Sequence, residues 1–341
     1  MPEVNPKRRR ILLDTNVWGN IAQYRQVERV QHDALRHGVR VVACPAVVYE
    51  ILRTSDGYLR RRDLRAITRK TWLRPMPEIF QQAEQLRVQI KRLHPEWLLA
   101  HPDLREWRRL RWDWISDQKP GRGEIGGFWW RARNEPSQQA RVLGRAEGSQ
   151  MQEARESQKA FRAAFQARTF EQTVLSDWVG RFETPVPGWE GDSFSSWRGE
   201  SLRQWSAGLF DLNTPPVHRE WLKPFLDLDL IRDDWAGWVR FWIYELLVSD
   251  VPLEWLSWAF HVVASKRRFT KGTPGDSQIG VYLADCEEFV TCDKAFAEIT
   301  DKIRAEAPCP VANAVLLPDD EGCARGLEEL FARGPCVPDD D

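Results

Sequence analysis

Cysteine is scarce in this chain, six in 341 residues, and no two are spaced C-x-x-C, which argues against zinc ribbons and disulfide scaffolds and leaves buried free thiols as the expectation. Long hydrophobic runs are missing as well: none approaches the roughly 20 residues that a membrane-spanning helix needs. The basic cluster Lys7-Arg8-Arg9-Arg10 is followed by too short an apolar stretch for a signal peptide, so the expected location is the cytoplasm, with no membrane partner. Charge of one sign is lacking, because 49 Lys and Arg against 50 Asp and Glu leave a net charge of -1 and no global field that would mark a nucleic-acid partner. There is no glycine-rich phosphate loop, no nucleophilic triad, no internal repeat, and no low-complexity run beyond the acidic tail.

What is present is an α/β pattern divided in two. Arg10 to Leu13 reads as a strand, Trp18 to His37 as a helix, Val39 to Cys44 as a strand, and Ala46 to Arg53 as a helix that Pro45 starts. Apolar strands of this kind suit a parallel sheet covered on both faces. The pattern resumes with a helix from Asp276 to Leu283, a strand at Glu288 to Cys292, a helix from Lys294 to Ala305, a strand at Ala312 to Leu317 and a last helix from Gly322 to Arg333. Residues 76–263 differ: they hold every tryptophan except Trp18 and Trp72, and helical periodicity recurs at Glu78–Leu93, Gln150–Phe170 and Asp234–Val248. A connection of that length is too long for a loop, so a mostly α-helical inserted domain at 76–263 is expected, between the two parts, 1–75 and 264–341, of one α/β domain. The helical spacing of Trp235, Trp238 and Trp242, and of Trp255 and Trp258, reads as core, although exposed tryptophans can stack on unpaired bases.

Four acids stand where such a framework would deliver them to one place. Asp14 ends Ile11-Leu12-Leu13-Asp14-Thr15-Asn16, Glu50 lies on the helix after the second strand, Asp276 opens a helix after Gly275, and Asp293 ends Phe289-Val290-Thr291-Cys292-Asp293. Taken singly, Asp14 and Asp293 read equally as strand-end caps and Asp276 as a helix N-cap. Taken together, four converging carboxylates would repel one another unless a cation neutralised them, and hard oxygen donors point to Mg²⁺ or Mn²⁺. Arg60, Arg61, Arg62 and Arg65, together with Arg69 and Lys70, follow Glu50, and Lys266, Arg267, Arg268 and Lys271 precede Asp276. Each group reads either as a solvated helix face or, beside an acidic site, as a phosphate contact. Asp285, Glu287 and Glu288 are expected in a solvated turn, and His261 on an apolar helix reads as a core residue.

The segments Leu12-Leu13-Asp14-Thr15-Asn16, Pro45-Ala46-Val47-Val48-Tyr49-Glu50, Gly275-Asp276-x-x-Ile279 and Phe289-Val290-Thr291-Cys292-Asp293-Lys294-Ala295-Phe296 resemble, in order, the motifs of PIN-domain nucleases. The resemblance covers about residues 8–75 and 264–320 and departs from the family in the size of the insertion. It implies a three-layer parallel-sheet domain, with Asp14, Glu50, Asp276 and Asp293 as catalytic metal ligands at the carboxyl edge of the sheet and Asn16 and Thr291 as companions that orient ligands or water. It further implies an endoribonuclease that leaves a 5′-phosphate. A small antitoxin-like partner that blocks the cleft is one variant of this expectation. The competing expectation is a non-catalytic module that holds RNA or protein on its tryptophan-rich insertion.

Overall fold

In the computed structural model, which describes residues 8–121, 125–143, 169–214, 217–266 and 278–333, six strands form. They are β1 (Arg10–Leu13), β2 (Arg40–Val42), β3 (Val179–Gly180), β4 (Phe194–Ser195), β5 (Glu288–Thr291) and β6 (Asn313–Leu316). β3 and β4 make a separate antiparallel ribbon, while the other four form one parallel sheet in the order β2-β1-β5-β6. The register pairs Leu12 with Val42 on one side and with Phe289 on the other. Ile11, Leu12, Leu13, Phe289 and Val290 are wholly buried, as strands covered on both faces must be. The sheet continues past β2 through a parallel bridge from Val42 to Leu73, where Leu73 N–H donates to the Val41 carbonyl (2.9 Å) and Ala43 N–H to that of Leu73 (2.9 Å).

The first segment folds as its pattern dictates, with one break. Instead of one helix from Trp18 to His37, two form: α1 (Thr15–Gln23) and α2 (Val27–Arg36). Between them Arg25 adopts a φ of 56°, in the left-handed region, and Gln26 N–H returns to the Ile21 carbonyl (2.8 Å). Neither glycine nor proline marks this stop, so periodicity alone reads straight through it. A side chain held there costs energy that glycine avoids, and Arg25→Gly is expected to raise stability by about 0.5–1 kcal/mol in a chemical denaturation experiment. α3 (Pro45–Arg53) starts at a proline in its first turn, as expected, and α4 (Gly57–Ile67) packs on both α1 and α3. Glu288 departs from expectation: it lies within β5, is buried, and pairs with Arg9 at 3.3 Å, because strand pairing carries it under the sheet's edge rather than into a solvated turn.

Residues 76–263 are mainly helical where described. α5 (Glu78–Leu93) has the expected bounds and is followed by α6 (Leu104–Ile115) and α7 (Phe128–Asn134), which were not anticipated. Helices Ser196–Phe210, Val217–Leu222 and Leu228–Asp233 come next. The helix expected over Asp234–Val248 is Trp235–Arg240, closed by a π turn at Phe241–Glu245. The one expected at Gln150–Phe170 lies almost wholly outside the described residues. Trp238, Trp242, Trp255 and Trp258 are buried and Trp235 is half-buried against the core, so the tryptophan stripe is core but for its first member, held by edge-on contacts such as Trp238 to Trp242 at 5.8 Å. This core runs into that of the sheet. Phe289 of β5 meets Phe296 of the helix Lys294–Glu306 at 4.8 Å, and Phe296 meets Phe260 of the helix Pro252–Ser265 at 6.2 Å.

Candidate functional site

From β1 the chain turns to β2 on one side, and from β5 it turns to β6 on the other, so strand order reverses between β1 and β5. Open parallel sheets place ligands in the crevice at the carboxyl end of such a switch point. Asp14 follows β1 and Asp293 lies two residues past the end of β5, so each comes from one of the two strands that flank the switch point. Asp14 N–H donates to the Val290 carbonyl (2.9 Å), which fixes its backbone to the neighbouring strand.

Asp14 is 4% exposed, and its carboxyl is tied by protein donors. Thr15 N–H donates to Oδ1 at 2.7 Å and the Thr291 hydroxyl to Oδ2 at 2.6 Å. Thr291 is itself wholly buried and fully used, since its Oγ1 accepts from Asn16 Nδ2 (3.3 Å) and from Asp293 N–H (2.9 Å) while donating to Asp14. Asn16 is anchored in turn, its Oδ1 accepting from Cys292 N–H at 3.0 Å. Asn16 and Thr291 therefore stand where companions to Asp14 belong. Thr15 was not anticipated: its hydroxyl donates to Glu50 Oε2, so one threonine holds both the Asp14 and the Glu50 carboxylates. A threonine directly after a strand-end Asp is a weak signal in sequence, because only the docking of α3 beside α1 gives its hydroxyl a second acid.

Burial pushes the Asp14 carboxyl up to about 7; the Thr291 hydrogen bond opposes this, and the nearby charges of Glu50 and Asp293 add to it. Glu50 is also raised, mainly by burial, against the opposing Thr15 hydrogen bond and Arg53 charge. Asp293 is exposed and caps the helix Lys294–Glu306, its Oδ1 accepting from Ala295 N–H (2.7 Å) and Phe296 N–H (3.3 Å). Asp276 lies outside the described residues.

Asp14 thus lies within the fields of Glu50 and Asp293, and the oxygens of all three are of the hard type that Mg²⁺ and Mn²⁺ take. The expected cluster includes Asp276, which lies outside the described residues, and among the described residues no group of three or more His, Cys, Asp or Glu side chains is placed to hold a metal ion. The reason lies in the hydrogen bonds. Asp14 and Glu50 are turned to Thr15 and Thr291, and Asp293 is turned back onto its own helix. The donor chemistry and the charge fit a hard dication, and second lone pairs remain on these oxygens, while the ligand set is open.

The expected basic residues divide. Arg60 donates to the Thr54 carbonyl (2.7 Å), and Arg62 donates to Asp63 (2.7 Å) and to the Gly19 carbonyl (3.4 Å), so both brace α4, whereas Arg61 and Arg65 are exposed. Lys266 sits 5.2 Å over the Trp178 ring, and Arg267, Arg268 and Lys271 lie outside the described residues. His261, expected in the core, is at the surface of its helix. Cys44, Cys286 and Cys323 are the buried free thiols expected, Cys292 and Cys309 are free but half-buried, and Cys336 lies outside the described residues. No helix among the described residues is long and apolar enough to cross a membrane.

The raised Asp14 carboxyl has a consequence for stability. Unfolded, the group ionises near 3.8, whereas folded it holds its proton to about 7, so between these values the folded state binds the extra proton and stability falls as pH rises. The expected loss is about 1.4 kcal/mol per pH unit over that window. Melting curves from acidic to neutral pH should show this slope in the wild type and a flatter one in Asp14→Asn; parallel curves would remove the assignment.

Comparison with family models, with curated proteins and with solved structures gives no significant match.

Proposed function

We propose that the chain is a metal-dependent phosphodiester hydrolase acting on RNA, of the PIN-domain kind that its four acidic motifs resemble. The observation that carries this reading is the placement of Asp14: buried at the switch point of a parallel sheet, with Glu50 and Asp293 close enough to raise its carboxyl. A carboxyl raised by burial and by nearby acids at a sheet's switch point is a functional-site candidate. Asp14, Glu50 and Asp293, with Asp276 from outside the described residues, would hold Mg²⁺ or Mn²⁺. A bound dication neutralises charge on the scissile phosphate and lowers the pKa of water. The chain's own part is to orient: Thr291, fixed by Asn16, aims the Asp14 carboxylate, and Thr15 keeps Glu50 beside it.

A second reading, a non-catalytic module that binds RNA or protein, is favoured by the hydrogen bonds that occupy the carboxylates and by Asp293 acting as a helix cap. Cleavage of single-stranded RNA with Mn²⁺, with and without a chelator, separates the two. Chelator-sensitive cutting supports the hydrolase. Mn²⁺ titration calorimetry that shows no binding, together with intact RNA, supports the module.

A further inference from the structure

We infer that α6 is a landing surface for single-stranded RNA, with a base stacked on Trp112 and phosphates paired to Arg105 and Arg108. The inference rests on the RNA-hydrolase reading for the identity of the strand, but its geometry is separate from the acidic site.

α6 is unlike its neighbours in that none of its residues is buried. It is held by one half-buried side only. There, Trp107 meets Phe80 at 6.3 Å and Phe225 at 5.7 Å, and Trp114 meets Phe128 at 4.4 Å. The outward stripe is Arg105, Arg108, Trp112 and Ile115, residues three or four apart and so on one face of the helix. Trp112 is 54% exposed and Ile115 48%. Trp112 and Ile115 thus form an open apolar strip on a protein whose other described tryptophans are mostly core, and the strip is flanked by arginines.

Charge decides which occupant. Of the four arginines of α6, Arg109 pairs with Glu106 and Arg111 lies 5.5 Å over the Trp107 ring. The helix's remaining acid, Asp113, is taken by Arg131 in a two-pronged pair of 2.6 and 2.8 Å. Among the described residues neither Arg105 nor Arg108 makes a salt bridge, although the Glu106 charge lies near Arg105, and both stand on the same stripe as the open indole. Cations interleaved with an exposed aromatic ring suit an unpaired polynucleotide, whose phosphates take the arginines and whose bases stack. A duplex hides its base faces and would leave Trp112 unused.

The position of the helix also fits. Trp114, two residues beyond Trp112, meets the ring of Tyr49 at 6.1 Å, and Tyr49 directly precedes Glu50 on α3. The last turn of α6 therefore abuts the helix that carries one of the acids.

The test is binding of a short, labelled, uridine-rich single strand, read by fluorescence anisotropy. The full chain carries Asp14→Asn and no divalent ion is present, so cleavage plays no part. Trp112→Ala should weaken binding about tenfold, the loss of one stacked base. Arg105→Glu with Arg108→Glu should weaken it further and reduce the salt slope of log K by about 1.4, two phosphate contacts on a single strand. The same sequence as a duplex should bind more weakly and be indifferent to Trp112→Ala. These side chains are exposed, so melting temperatures should stay within a degree or two of the parent, and that measurement accompanies each affinity. Affinities unchanged in both variants, a duplex that binds as tightly as the strand, or a parent chain that binds no strand would each overturn the inference. The two readings fail separately. If the strand binds through α6 but wild type with Mn²⁺ leaves it intact, the hydrolase reading falls; if wild type cuts and the α6 variants bind like the parent, the role of α6 falls.

Discussion

Asp14→Asn should reduce Mn²⁺-dependent cleavage of single-stranded RNA by at least the roughly 10²–10³-fold that loss of one transition-state contact costs, while the protein stays folded. The fold should survive because asparagine keeps an oxygen for the Thr15 N–H, now 2.7 Å from Oδ1, and replaces a carboxyl whose ionised form is disfavoured by burial and by the charges of Glu50 and Asp293. Activity should not survive, because an amide is a poor ligand for a hard dication and cannot supply the negative charge that holds it. Initial rates with saturating Mn²⁺, beside a melting curve of the same sample, decide the matter. A variant that cuts at the wild-type rate would eliminate the mechanism, and one that unfolds would show that Asp14 serves the fold through Thr291. Thr291→Val separates these further: it keeps the shape of the residue but removes the hydroxyl bond to Asp14 Oδ2 of 2.6 Å, and a loss of about 10–100-fold is expected for a residue that acts through a ligand.

The second large effect concerns stability. Trp97→Ala should cost about 3–5 kcal/mol. The indole is fully buried, stacks on His94 at 3.9 Å, meets Phe241 at 5.6 Å and Trp238 at 5.7 Å, and donates from Nε1 to Asp234 Oδ2 at 3.1 Å. Truncation opens a cavity in a close-packed aromatic cluster and takes a donor from a carboxylate that also caps the following helix through Gly237 N–H (3.2 Å). Urea unfolding of wild type and variant, followed by tryptophan fluorescence and by circular dichroism, measures the loss. The contacts from Phe289 through Phe296 to Phe260 join the insertion to the sheet, so the two probes should move together. A change below about 1 kcal/mol would mean that the cluster relaxes around the missing ring.

Much of the fold was legible in the sequence because its signals are local. Apolar runs that end in Asp gave β1 and β5, Pro45 at a first turn gave α3, and the periodicity of Glu78–Leu93 gave α5 to the residue. What was missed has local reasons too. Arg25 stops a helix without a breaker residue, and α6 escaped notice because its aromatic and basic residues alternate around the whole helix, which hides the stripe that packs. The acids were found by their strand-end and helix positions. Their hydrogen bonds were not, since Thr291 and Asp14 are 277 residues apart and meet only because β5 pairs with β1.

By itself the order of the amino acids determined the parallel strands, the acids at their ends, the tryptophan-rich helical stretch between the halves and the absence of any apolar run long enough for a membrane, because each depends on neighbours a few residues apart. It took the folded chain to settle that Asp14 feels both Glu50 and Asp293 while the described side chains leave a ligand shell open, and that Trp112 faces water when Trp97 does not. Those outcomes turn on which surfaces meet across the sheet and between distant helices. Such contacts are chosen by the burial of the whole core and leave no mark on the spacing of any one segment.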